Sequence, residues 1–262
     1  MKLDYIIKGT GDISLLFVHG AFIDKDYWQE QLEYFSKTYK VVLVDLAGHG
    51  RSDKNRDNWS IQSLGDDIIS VIVESGLSNI ILIGHSLGGD VILEVADKIP
   101  DLITGFIGID NFKYAGTALP PSITKQIEQA LIMMKSDFPS VSEAFARQSL
   151  LTDSTDDQIR NRIIKDYKNF DPETGVALLT SSFTYFNRER ELLQRLRFKL
   201  HLINVDYVPT NEDLLKLYAH SGYLVMNIKG TCHYPMIENP SEFNHLLETA
   251  VLNILSSQKS AF

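Results

Sequence analysis

Residues 80–100 read IILIGHSLGGDVILEVADKIP. An apolar run, Ile80 to Ile83, is cut by Gly84-His85-Ser86-Leu87-Gly88-Gly89 and resumes at once in a helical pattern. Strand formers seldom meet helix formers with so little between them, so the stretch must turn very tightly with Ser86 at the tip. Gly84-His85-Ser86-Leu87-Gly88 fits G-x-S-x-G, in which a serine occupies a strained strand-to-helix corner and small neighbours let the backbone pass close. The corner lifts the hydroxyl out of the sheet and sets it at a helix N-terminus, whose free amides stabilise nearby negative charge.

Working outward, short apolar runs alternate with amphipathic stretches. The runs are LDYIIKG, SLLFVHG, KVVLVDL, NIILIGHS, ITGFIGID, KLHLINVD and YLVMNIKG. Helical patterns fall at Tyr27–Ser36, Ile61–Ser75, Gly89–Ile99, Asn211–Ala219 and Ser241–Leu255. This alternation predicts an α/β fold with a mostly parallel, doubly wound sheet. In the last helix Phe243, Leu246, Leu247, Ala250, Val251 and Ile254 mark a core-facing stripe. Between Asn111 and Arg197 no strand pattern occurs. Helices there are expected to begin near Pro120-Pro121, Pro139 and Pro172, with Ile123, Ile127, Ala130 and Met134 on one packing stripe. The expected organisation is a core of residues 1–111 and 198–262, with residues 112–197 an all-helical cap over the carboxyl ends of the strands.

A serine hydroxyl needs a base, and the base needs a group that holds its tautomer. Of seven histidines, His19, His49 and His85 lie in glycine-rich turns and are read as loop braces, while His201, His220 and His245 fall in a strand or on helix faces. His233 stands in GTCHYPMIENP, a loop between the last strand and the last helix, where a chain order of serine, acid, histidine places its base.

Four blocks, LLFVHGAF, VDLAGHGRSD, IGHSLGG and GTCHYPMIENP, together resemble the α/β-hydrolase fold family over essentially the whole chain. The resemblance implies a serine hydrolase of the esterase/lipase-like branch with a helical cap, requiring no cofactor. It implies Ala21 and Leu87 as the donors of the oxyanion-hole amides. It offers two positions for the acid: Asp206, in LHLINVDYVPTNED after the strand that follows the cap, and Asp110, at the end of ITGFIGID. Asp206 is favoured, although no glycine precedes it and its loop is about a residue short. A serine at the corner sets the chain apart from the dehalogenase and epoxide-hydrolase branches, which place an aspartate there.

Phe22, beside the oxyanion loop, and Phe183, Tyr185 and Phe186 in the cap are expected to line an apolar substrate pocket. Cys232 is read as packing and Asp45 and Asp53 as loop braces. No His/Cys/Asp/Glu cluster has metal-ligand spacing. The 262 residues are 44% hydrophobic with a formal net charge of −9, a balance that disfavours nucleic acid and anionic membranes as partners. One cysteine precludes an internal disulfide. With no apolar leader or membrane-length run in the sequence, a cytoplasmic location is expected. The expected activity is hydrolysis of small carboxylic esters or related acyl compounds through an acyl-enzyme. The same residues also serve carbon–carbon bond hydrolysis, perhydrolysis, or a ligand receptor with slow turnover. Oligomeric state is not legible.

Overall fold

The computed structural model describes residues 1–259. Each of the seven apolar runs is a strand: β1 (Tyr5–Lys8), β2 (Ser14–Val18), β3 (Lys40–Val44), β4 (Ile80–His85), β5 (Ile103–Ile109), β6 (Leu200–Val205) and β7 (Tyr223–Ile228). They form one sheet in the order β1-β3-β2-β4-β5-β6-β7. β1 pairs antiparallel with β3, and every other pairing is parallel. Burial follows position: β2, β4 and β6 are buried at every residue, as strands covered on both faces must be, whereas the edge strand β1 is largely exposed.

The covering helices are α1 (Gln29–Phe35), α2 (Ile61–Glu74), α3 (Leu87–Lys98), α9 (Glu212–Tyr218) and α11 (Pro240–Lys259), with the short α10 (Pro235–Glu238) leading into the last. α2 opens on a capping box between Ser60 and Ser63. α11 buries the predicted stripe, with Phe243, Leu247, Ala250 and Val251 fully buried and the Ile254 side chain packed where a Cβ on Gly105 would sit. α3 begins at Leu87, two residues earlier than periodicity placed it, because Ser86 alone makes the corner.

Between β5 and β6 the described chain is helical: α4 (Pro121–Met134), α5 (Phe138–Phe145), a five-residue π turn over Ala146–Leu150, α6 (Asp157–Asn169), α7 (Pro172–Thr184) and α8 (Phe186–Arg195). Prolines occupy the first turns of α4, α5 and α7, where a missing N–H costs nothing. The α4 stripe is corrected. Only Met134 of that helix is buried, and Ile123, Ile132 and Met133 are exposed.

Candidate active site

Ser86 takes φ 51° and ψ −125°, a combination that a side chain strains to adopt, at a cost of roughly 1–3 kcal/mol. Three hydrogen bonds hold it there. Its N–H donates to Ile109 O (3.0 Å), and its carbonyl accepts from Gly89 N (2.8 Å) and Asn111 Nδ2 (2.6 Å). Two glycines make the corner sterically feasible. A Cβ on Gly84 would lie 2.5 Å from Gly88 O, and one on Gly88 would lie 2.5 Å from Val18 O. Ser86 remains partly exposed, so its hydroxyl is not sealed in the core.

The turn after β2 presses on this corner. A Cβ on Gly20 would come within 2.7 Å of His85 Nδ1 and 3.1 Å of Ser86 Cβ, so only glycine permits the approach. Gly20, the residue before Ala21, is therefore held against Ser86. Leu87 is the first residue of α3, so its N–H has no intrahelical acceptor. Phe22 follows at φ 64°, and its buried ring packs on Phe138, Tyr167 and Phe170 of the helical segment at centroid distances of 5.6, 5.0 and 4.6 Å.

His233 sits in the loop after β7, with its N–H donating to Leu150 O in the π turn (2.9 Å). Its Nδ1 meets Asp110 Oδ2 at 2.5 Å. The preference for Asp206 is thereby corrected: the carboxylate brought to His233 is that of Asp110, at the end of β5. Asp206 is exposed and accepts from Gly230 N at 3.2 Å. The reason lies in the backbone. Asp110 adopts φ 46°, which turns its side chain toward the β7 loop, while its N–H stays on Ile203 O (2.9 Å) in the sheet. Burial pushes the Asp110 carboxyl up, but the hydrogen bond and charge of His233, with Lys113 close by, hold it below the usual carboxylate range.

Other predicted positions resolve individually. His85 faces His233: its Nε2–H donates to His233 O (2.8 Å), the rings lie 4.6 Å apart, and burial keeps it neutral, well below the ordinary histidine range. His19 Nδ1–H donates to Gly20 O (2.8 Å) while its Nε2 accepts from Leu46 N (3.0 Å), which braces the turn leading to Ala21. Asp45 holds the backbone N–H groups of Lys25 and Arg51, and Asp53 that of Lys2. Cys232 is buried, and burial with a contact to Glu238 pushes its thiol up to about 12. It is uncharged beside the base. Phe183 and Phe186 line a cavity of about 240 Å³ together with Asp110, Asn111 and Lys113. Tyr185 does not join them. It is buried and donates to Glu94 Oε1 (2.9 Å), tying the start of α8 to α3. Among the described residues no group of three or more potential metal ligands occurs, and no helix is long and apolar enough to cross a membrane.

Two residues of this site escape sequence reasoning. Asn111 locks the Ser86 carbonyl, and its N–H donates to Asn204 Oδ1 (3.2 Å). Lys113 reaches back to Asp110. Neither belongs to a motif. The available signal was polar residues shortly after a nearly fully buried strand, β5.

Comparison with known proteins agrees with this fold. A family profile described as the alpha/beta hydrolase fold matches residues 13–160, more than half the chain. The chain belongs to the α/β-hydrolase fold family. Among curated relatives, the protein ABHD8 of Mus musculus is 25% identical over 94% of this chain and 56% of its own length. A 2-(acetamidomethylene)succinate hydrolase of Mesorhizobium japonicum is 33% identical over 42% of this chain and 39% of its own. The chain thus spans about half the length of such relatives, or less. A thermophilic esterase from Thermogutta terrifontis superposes with a TM-score of 0.82 at 21% identity, covering 96% of this chain and 93% of that one.

Proposed function

We propose that this α/β-hydrolase cleaves small carboxylic esters through an acyl-enzyme on Ser86. The observation that carries the reading is the His233–Asp110 pair, set in the same site as a serine held in a strained corner. His233 takes the Ser86 hydroxyl proton on Nε2 as Oγ attacks the carbonyl carbon, and Asp110 keeps the ring's other proton on Nδ1. The carbonyl oxygen becomes an oxyanion that accepts from the N–H groups of Ala21 and Leu87, donors typically worth about 3 kcal/mol each in the barrier. Collapse expels the alcohol with the proton that His233 returns. Water then attacks the acyl carbon, giving its proton to His233, which passes it to Ser86 Oγ as the acyl C–Oγ bond breaks and the acid leaves. No step calls on a cofactor.

In this reading residues 112–197 act as a cap, and Phe183 and Phe186 favour an apolar acyl or alcohol group. Esterase activity among structural relatives and acyl-compound hydrolysis by the Mesorhizobium protein support the reaction class. The net charge of −9 suits small soluble substrates, and the buried lone cysteine suits a reducing cytoplasm.

The test is release of p-nitrophenol from acetate, butyrate and octanoate esters by wild type, Ser86→Ala and His233→Ala. Both variants should fall by several orders of magnitude, with chain-length preference reporting pocket size. Equal rates for wild type and Ser86→Ala on every ester would refute esterase action.

A further inference from the structure

Asp110 has a second charged partner that the hydrolytic cycle does not call for. Lys113 Nζ lies 2.7 Å from Asp110 Oδ1, and the side chains are 10% and 2% exposed. The carboxylate is divided between its partners: Oδ2 faces His233, while Oδ1 accepts from Val205 N–H (3.1 Å) as well as from Lys113. This arrangement depends on backbone of unusual shape. Asp110 and Phe112 both have positive φ (46° and 54°), which curls the loop so that residue 113 returns to residue 110. The ammonium also lies over the Tyr207 ring, 5.2 Å from its centroid, and Tyr207 is tethered by its hydroxyl to Ser149 O (3.1 Å).

We propose that Lys113 is a positioning residue that clamps Oδ1 of Asp110 and offsets part of its charge, extending the activity of His233 as a base toward lower pH. The proposal rests on the Ser86–His233–Asp110 reading above. An imidazolium at His233 is stabilised by the full charge of Asp110, and a cation on the opposite oxygen weakens that attraction.

The other groups around this pair leave Lys113 as the cation in direct contact with Asp110. His85 is held neutral by burial. The Tyr207 and Tyr234 hydroxyls are pushed up by burial and stay uncharged, as does the Cys232 thiol at about 12. Glu238 is engaged by Cys232 N–H. On the far side of the loop the buried Asp90 and half-buried Glu189 carboxyls are pushed up, the latter to about 7, with Glu189 accepting from Gly116 N–H.

The experiment is the pH dependence of kcat/KM for p-nitrophenyl acetate with wild type, Lys113→Met, Lys113→Gln and Lys113→Arg. Removing the charge should move the acid limb up by about one pH unit, so that activity on that limb falls up to about tenfold and falls more than the plateau at higher pH does. Lys113→Gln keeps a hydrogen-bond donor without the charge and also serves if Lys113→Met does not fold. Lys113→Arg should retain the wild-type limb. A role in packing alone would lower the plateau or the melting temperature and leave the limb in place, which overturns the proposal. The same titration read from the His233 ring by NMR, in a Ser86→Ala background, needs no turnover. If wild type hydrolyses no ester, the hydrolase reading fails, and the ring titration still decides Lys113: a midpoint raised by Lys113→Met or Lys113→Gln supports the clamp, and an unmoved midpoint refutes it.

Discussion

Replacing Asp110 by asparagine should do more than remove a charge, because the structure dictates which way the amide will face. Two donors converge on the Oδ1 position, Lys113 Nζ at 2.7 Å and Val205 N–H at 3.1 Å, whereas His233 alone meets Oδ2. An asparagine in the same rotamer can offer its oxygen to one side only. Turned toward His233, it would leave its NH₂ against an ammonium and a backbone N–H, stranding buried donors at about 1–3 kcal/mol or more. The oxygen therefore takes the Oδ1 position and the NH₂ faces His233 Nδ1. That reverses the ring tautomer: Nδ1 must accept, Nε2 carries the proton, and the imidazole cannot take a proton from Ser86. A reversed tautomer lowers kcat by a factor on the order of 10⁴. Asp206→Asn, altering an exposed group bonded to Gly230 N–H, should stay within a fewfold of wild type. The assay is kcat and KM on p-nitrophenyl butyrate, with the labelling rate of Ser86 by a fluorophosphonate probe as a readout independent of substrate fit. Retention of activity within tenfold by Asp110→Asn, or an equal loss in Asp206→Asn, would refute the reasoning.

Ser86→Gly should unfold at higher denaturant than Ser86→Ala, by about 1–2 kcal/mol, because glycine accepts φ 51° and ψ −125° without a Cβ penalty; urea titration of the two inactive variants measures it. Gly20→Ala should cost about 1–3 kcal/mol of stability and most of the activity, since its methyl would meet His85 Nδ1 at 2.7 Å and Ser86 Cβ at 3.1 Å; matched urea and kinetic measurements test both effects. Burial lowers His19 from 6.5 to about 4, so the unfolded chain binds its proton first as pH falls. This contribution is complete above about pH 6.5 and is lost toward pH 4, a loss of about 3 kcal/mol. Glu189, pushed up to about 7, works in the opposite direction, so the comparison is made against His19→Gln, which leaves Glu189 intact and should show a smaller decline in urea midpoint over the same range. Equal slopes in the two proteins would refute the assignment.

Local chemistry made much of this protein legible from its sequence alone. Seven apolar runs became seven strands, and the central ones were plainest because a strand buried on both faces has little freedom in composition. Ser86 could be singled out because a tight strand-to-helix corner demands glycines at fixed offsets, and His233 because the loop after the last strand has a defined place in the chain order. The helical character of the segment between β5 and β6 was equally visible in its prolines and helical stripes. The acid was not. Asp110 and Asp206 follow adjacent parallel strands at the same end of the sheet, and the choice between them turns on a left-handed backbone at Asp110 that the general tolerance of aspartate for that conformation does not single out. Lys113 was invisible for the same reason, since its approach to Asp110 goes with two non-glycine residues in positive φ, Asp110 and Phe112, within one loop. Tyr185 looked like pocket lining because aromatic side chains share one pattern whether they face a cavity or the core, and its hydroxyl found Glu94 across two packed helices. Periodicity reports which face of an element is apolar. Which side chains meet across the sheet's end is set by loop geometry, and only the tertiary structure holds that.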